Sequence, residues 1–199
     1  MDYKFPPNQT PSGFSDYTFT ELHEHSDKYS HNVREYLDFL IKGNMGVPHC
    51  PFTNISLRKR LFFYDVQPEP FSDRSVLDVR YALEKMCDFV QTKQDRFAIA
   101  GVIYSHESYY APKVAERVEE WRQIERLELI RLGLTTAWTH PCNRVGTHTD
   151  KEKPNYPLWV SKDPMLMVRY LHKLDEPFMI TDEAKIAFVK GMAVVNQLR

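Results

Sequence analysis

Three observations place this chain in the α/β class, with a mixed central sheet flanked by helices in a single domain. Short apolar runs rich in branched and aromatic residues alternate with longer stretches of helical periodicity. One run, Phe97-Ala98-Ile99-Ala100-Gly101-Val102-Ile103-Tyr104, is apolar without alternation, the pattern of a strand covered on both faces. The 199 residues, 42% hydrophobic and 13% aromatic, suffice for one sizeable core and show no compositional break.

Residues 1–17 combine Pro6, Pro7, Pro11 and Gly13 with small polar groups, which predicts a flexible arm ahead of a domain over 18–199. Tyr29, Val33, Tyr36, Leu37, Leu40 and Ile41 recur at helical spacing, and Gly43-Asn44 supplies the stop. Pro48 and Pro51 then hold His49 and Cys50 on a stiff loop and bias Cys50 toward extended geometry. Leu61–Val66, bounded by Pro68 and Pro70, reads as the first strand. A helix follows through Val76, Leu77, Val79, Leu83, Met86 and Val90, with Ser72 or Asp73 as cap and Cys87 beside the stripe.

The run at 97–104 is the expected central strand. Pro112 suits a first helical turn, and Val114, Val118, Trp121, Ile124 and Leu127 carry that helix to about Arg131, before Gly133. Leu134–Thr139 reads as a third strand and 141–155 as a polar loop. Asp163-Pro164 offers a cap and a first-turn proline, which predicts a helix through Met165, Met167, Val168 and Leu171. Thr181-Asp182-Glu183 opens the last helix, with the stripe Ala184, Ala187, Phe188, Gly191, Val195 and Leu198.

Charge narrows the function classes. Lys+Arg 26 nearly cancel Asp+Glu 27, so no broad cationic face is expected for nucleic acid or anionic lipid. No stretch reaches the apolar length that spans a bilayer, and the first residues lack a basic patch followed by an apolar run. Three cysteines without framework spacing suit a reducing compartment. The expectation is a cytoplasmic protein, folding alone or as a homodimer, without nucleic-acid or membrane partners. Seven scattered glycines form no phosphate-cradling loop. The chain also lacks a Gly-x-Ser-x-Gly elbow, a His-Glu-x-x-His helix and a Cys-x-x-Cys pair.

Chemistry-bearing residues concentrate just past the third strand, at His140-Pro141-Cys142-Asn143-Arg144 with His148 and Asp150. Imidazole and thiolate bind transition metals or heme iron, which makes His140, Cys142 and His148 a candidate metal set. Arg144 could clamp a substrate carboxylate, and a solvated loop that collects polar residues is the competing reading. Cys50 is the second candidate ligand, against its reading as a small packed hydrophobe. Arg169, in an apolar segment with Asp175 within reach, is either a structural ion pair or a substrate-binding group. His23, Glu24, His25 and His31 lie on different helical faces and read as a solvated, partly frayed region.

Several segments together carry a resemblance. Cys50-Pro51-Phe52, His140-Pro141, Pro164–Tyr170 and Leu174-Asp175-Glu176-Pro177-Phe178 resemble a poorly characterised bacterial family built on a Cys-Pro-Phe segment. That family is distantly similar to the YqcI/YcgG family, whose Pro-Leu-Trp segment matches Pro157-Leu158-Trp159. Thr53 stands where the YqcI/YcgG pattern continues with glycine. The resemblance implies a heme-dependent oxygenase or N-hydroxylase acting on a small amino-acid-like or guanidino substrate, supplied by an electron donor. On that reading His140, or else Cys50, ligates the iron, while Arg144 and Arg169 bind the substrate. Two alternatives stand beside it: a non-heme metal enzyme using His140, Cys142 and His148, and a non-catalytic small-ligand-binding or interaction protein.

Overall fold

A computed structural model describes residues 17–42, 50–71, 75–142 and 161–198. The elements in chain order are β1 (Thr20–Glu21), α1 (Lys28–Lys42), α2 (Pro51–Arg58), β2 (Phe62–Gln67), α3 (Ser75–Thr92), β3 (Ile99–Tyr104), α4 (Pro112–Arg131), β4 (Leu134–Thr139), β5 (Met165–Tyr170) and α5 (Asp182–Val195). The strands form one mixed sheet of order β1-β2-β3-β5-β4. β2 and β3 run parallel across the α3 crossover, and every other pairing is antiparallel. The expected α/β architecture is the one found, with β3 in the middle and its six residues all buried.

Each sheet face has its own core. Ala100, Val102, Leu134, Trp138, Leu166 and Val168 face α3, α4 and α5, while Phe62, Tyr64, Ile99, Ile103, Met165 and Met167 face Val33, Tyr36 and Leu37 of α1. Local chemistry sets the helix ends. Asp27 Oδ1 accepts from the Ser30 amide at 2.7 Å to start α1, and Thr181 Oγ1 accepts from the Ala184 amide at 3.1 Å to start α5. Gly133, at φ +79°, ends α4 in the left-handed region that glycine adopts freely. Gly191 permits the closest helix contact. A Cβ there would strike the Ile130 carbonyl oxygen and sit 2.8 Å from Leu171 Cδ1 and 3.1 Å from Gly133 Cα.

Two expectations are corrected. The segment expected to be a helix through Met165–Leu171 is strand β5, paired on both sides. A run of four buried apolar residues has no period that separates helix from strand, and the open slot between β3 and β4 decides. Asp163 caps no helix. Its carboxylate instead accepts from Asn32 Nδ2 at 2.6 Å and from the Tyr110 hydroxyl at 2.7 Å, and the Pro164 carbonyl accepts from the Tyr104 amide. Over Pro51–Arg58, where periodicity assigns no element, α2 forms with Pro51 in its first turn, where a missing amide proton costs nothing.

The expected arm, apart from Tyr17, lies outside the described residues, as do His49, the Gly43-Asn44 stop and Pro157-Leu158-Trp159. Among the described residues no helix is long and apolar enough to cross a membrane.

Candidate functional site

α1 and α2 leave a cavity of about 140 Å³ against the sheet. Its wall is mostly apolar, from Leu37, Leu40, Phe62, Ile99 and Met167. Four polar-bearing side chains join them: Tyr36 from α1, Cys50 and Thr53 from the start of α2, and Arg169 from β5. Ala137, exposed on the edge strand β4, also lines the cavity.

The local sequence explains the placement. Cys50 is the N-cap of α2, in the extended conformation (φ −136°, ψ 107°) that a following proline favours. Its amide donates to the Leu40 carbonyl at 3.1 Å, which fastens the helix start to α1. Its side chain makes no capping hydrogen bond. Thr53 follows three residues later, so it rises from the same first turn as Cys50. At the far end of α2 the Ser56 hydroxyl donates to the Phe97 carbonyl at 2.6 Å, fixing the helix on the sheet.

Thr53 is 1% exposed, yet its Oγ1 has no hydrogen-bond partner among the described residues. A buried hydroxyl without a partner is uncommon in a folded protein, because it forfeits its hydration for nothing. Arg169 lines the same cavity from β5, held in a bidentate pair with Asp175 at 2.7 and 2.8 Å and donating to the Tyr170 carbonyl at 2.8 Å. Its guanidinium also lies 4.9 Å from the centre of the Phe52 ring. Burial works against this charge, but the Asp175 carboxylate outweighs it and holds the guanidinium cationic. The Tyr36 phenol is pushed up first by burial and then by the nearby Cys50, and stays neutral. Cys50 is also an electrostatic neighbour of Arg169, so thiol, phenol and guanidinium lie within reach of one another.

Cys50 and Arg169, from separate parts of the chain, are thus brought together, and the Arg169–Asp175 pair forms as expected. His140 is not part of this group. It is 0% exposed, its Nε2–H donates to the Tyr109 carbonyl at 2.6 Å, and its Nδ1 accepts from the Cys142 amide at 3.0 Å. Burial holds its pKa below the usual histidine value, so the ring is neutral and pins two backbone segments. Cys142 is exposed, with its Sγ 3.5 Å from the Tyr110 carbonyl oxygen. Arg144 and His148 lie outside the described residues. Among the described residues no group of three or more His, Cys, Asp or Glu is placed to hold a metal ion.

A heme needs an iron ligand facing open space of macrocycle size. Both nitrogens of His140 are engaged by backbone groups, and the cavity at Cys50 falls below the roughly 300–1,000 Å³ of ordinary cofactor pockets. The described residues at these two positions do not fit a heme.

Tyr36 and Thr53 are the site residues that sequence reasoning misses. Tyr36 is masked by its membership of an apolar stripe. Thr53 is legible only as an oxygen-bearing residue three positions after a helix-starting cysteine. A second set of buried polar atoms lies at the carboxyl ends of β2 and β3, where Gln67 and Tyr104 are register partners. Gln67 Oε1, the Tyr104 hydroxyl and the Tyr17 hydroxyl have no hydrogen-bond partner among the described residues. No known family model, curated protein or solved structure matches this chain.

Proposed function

We infer that the chain binds a compact small molecule in the cavity under α1 and α2, with an apolar body and an oxygen-bearing head, and that Cys50 is the group meeting that head. The observation that carries this reading is the convergence of a thiol, a partnerless buried hydroxyl and a guanidinium on one apolar space. An apolar cavity of about 150 Å³ holds a molecule of roughly benzene size, which sets the scale of the ligand. The head is an acceptor, because Thr53 Oγ1–H and the cationic Arg169 both donate. A thiol left free at such a site fits a reducing, cytoplasmic compartment.

The test uses tert-butanol and n-pentanoate as probes, read by thermal shift and by chemical-shift changes at Leu40, Thr53 and Met167. Either probe should stabilise the wild-type protein in a saturable manner. Ala137→Phe, at an exposed position beside the cavity, should abolish that stabilisation while leaving the unliganded Tm in place. Stabilisation that is absent, or that persists undiminished in Ala137→Phe, removes the reading.

A further inference from the structure

We propose that Cys50 is a peroxide-reactive thiol whose substrate class is the small alkyl hydroperoxide. This deepens the small-molecule reading and rests on it.

Four features of the site converge on this chemistry. Cys50 opens α2, at the N-terminal end of an eight-residue helix. Its side chain is not spent on capping. Thr53, one turn away, holds a buried hydroxyl with no partner among the described residues. Arg169 supplies a permanent cation whose pairing with Asp175 fixes its orientation. The site therefore offers one nucleophile and two donors of different kind, the arrangement needed to polarise an oxygen–oxygen bond while a sulfur attacks it.

The choice of electrophile follows from the two donors the cavity offers. A hydroperoxide presents two adjacent oxygen acceptors to them, and its leaving alkoxide takes up the thiol proton. In the balanced step the Cys50 sulfur bonds to the terminal peroxide oxygen and the oxygen–oxygen bond breaks. The proton released from the thiol ends on the departing alkoxide, giving an alcohol. Sulfur is oxidised by two electrons to the sulfenic acid, and the hydroperoxide is reduced by two. Thr53 and Arg169 act as donors to the two peroxide oxygens.

Cavity size selects within the class. tert-Butyl hydroperoxide has six non-hydrogen atoms and matches the space; cumene hydroperoxide, with a phenyl ring added, exceeds it. The other two cysteines are internal controls. Cys142 is exposed but lies outside the cavity, and Cys87 is buried on α3, where burial pushes its thiol far up.

The experiment follows oxidation of the full chain by trapping sulfenic acid with dimedone and locating the adduct by mass spectrometry. Iodoacetamide alkylation of the same thiols is measured in parallel. Cys50 should be oxidised by tert-butyl hydroperoxide at least about tenfold faster than Cys142, and faster than by cumene hydroperoxide. Thr53→Val keeps shape and removes the donor. It should slow Cys50 oxidation about tenfold, the value of one neutral hydrogen bond, while alkylation by iodoacetamide stays within about twofold. Oxidation of Cys50 no faster than of Cys142 overturns the proposal, as does a Thr53→Val variant with wild-type oxidation or with both rates lowered equally. If tert-butanol binds and Ala137→Phe blocks it, while Cys50 shows no selectivity, the peroxide proposal alone falls. If tert-butanol fails to bind as well, the binding reading falls with it.

Discussion

Replacing His140 by alanine separates a structural histidine from a ligand by free energy alone. The ring is fully buried and ties the Tyr109 carbonyl to the Cys142 amide, so truncation leaves two backbone groups without their partner. An orphaned buried polar group costs about 1–3 kcal/mol. The deleted ring adds a cavity term, which for large-to-small core changes brings the total to about 2–5 kcal/mol. Partial hydration of the chain reversal at Cys142, which is exposed, lowers the backbone share, and we expect a net loss of about 3 kcal/mol. For a chain of this size that corresponds to a fall in Tm of about 6–12 °C, measurable by scanning calorimetry, with urea unfolding as the check on cooperativity.

The same ring predicts a pH dependence. Burial lowers its folded pKa, whereas in the unfolded chain it titrates near 6.5. Below about pH 6.5 the unfolded state therefore binds more protons, and stability falls with pH until the folded pKa is passed. This component should be full above about pH 6.5 and absent from the alanine variant at every pH. A variant within about 0.5 kcal/mol of wild type, with an unchanged pH profile, would refute the structural assignment and return His140 to the list of ligands.

Two further substitutions test the frame around the sites. Gly191→Ala gains about 1 kcal/mol of helix propensity, yet its Cβ meets the Ile130 carbonyl and the Gly133 backbone, which cannot step aside as a side chain can. We expect a net loss of about 2 kcal/mol by urea unfolding, and a variant more stable than wild type would show that α4 and α5 are not in close contact. Tyr104→Phe removes a buried hydroxyl with no partner among the described residues and keeps the ring stacked on Tyr109 at 4.4 Å. Its stability should be equal to wild type or higher by up to about 1 kcal/mol; a loss above about 1 kcal/mol would mean that this hydroxyl is hydrogen-bonded.

Much of the architecture is written locally. The uninterrupted apolar run at 97–104 announces a strand buried on both sides, and the stripes of α1, α3, α4 and α5 announce their helices, because burial on one face imposes the period of the element. Pro112 marks a helix start for a reason internal to the residue. The pairing of Arg169 with Asp175 is legible too, since a cation in an apolar segment requires a counter-charge nearby.

Other features were decided only when the chain closed on itself. Met165–Tyr170 has the composition of a core helix and becomes a strand because β3 and β4 each present an unpaired edge to it. His140 looks like a ligand in a polar loop and becomes a backbone pin because the turn after β3 brings the Tyr109 carbonyl against it. The site depends on tertiary structure most of all. Cys50 and Arg169 are more than a hundred residues apart, and only the packing of α1 and α2 on the sheet sets thiol, hydroxyl and guanidinium around one cavity. Residue types and periods are properties of a short window, whereas proximity between distant windows is created by burial of the whole.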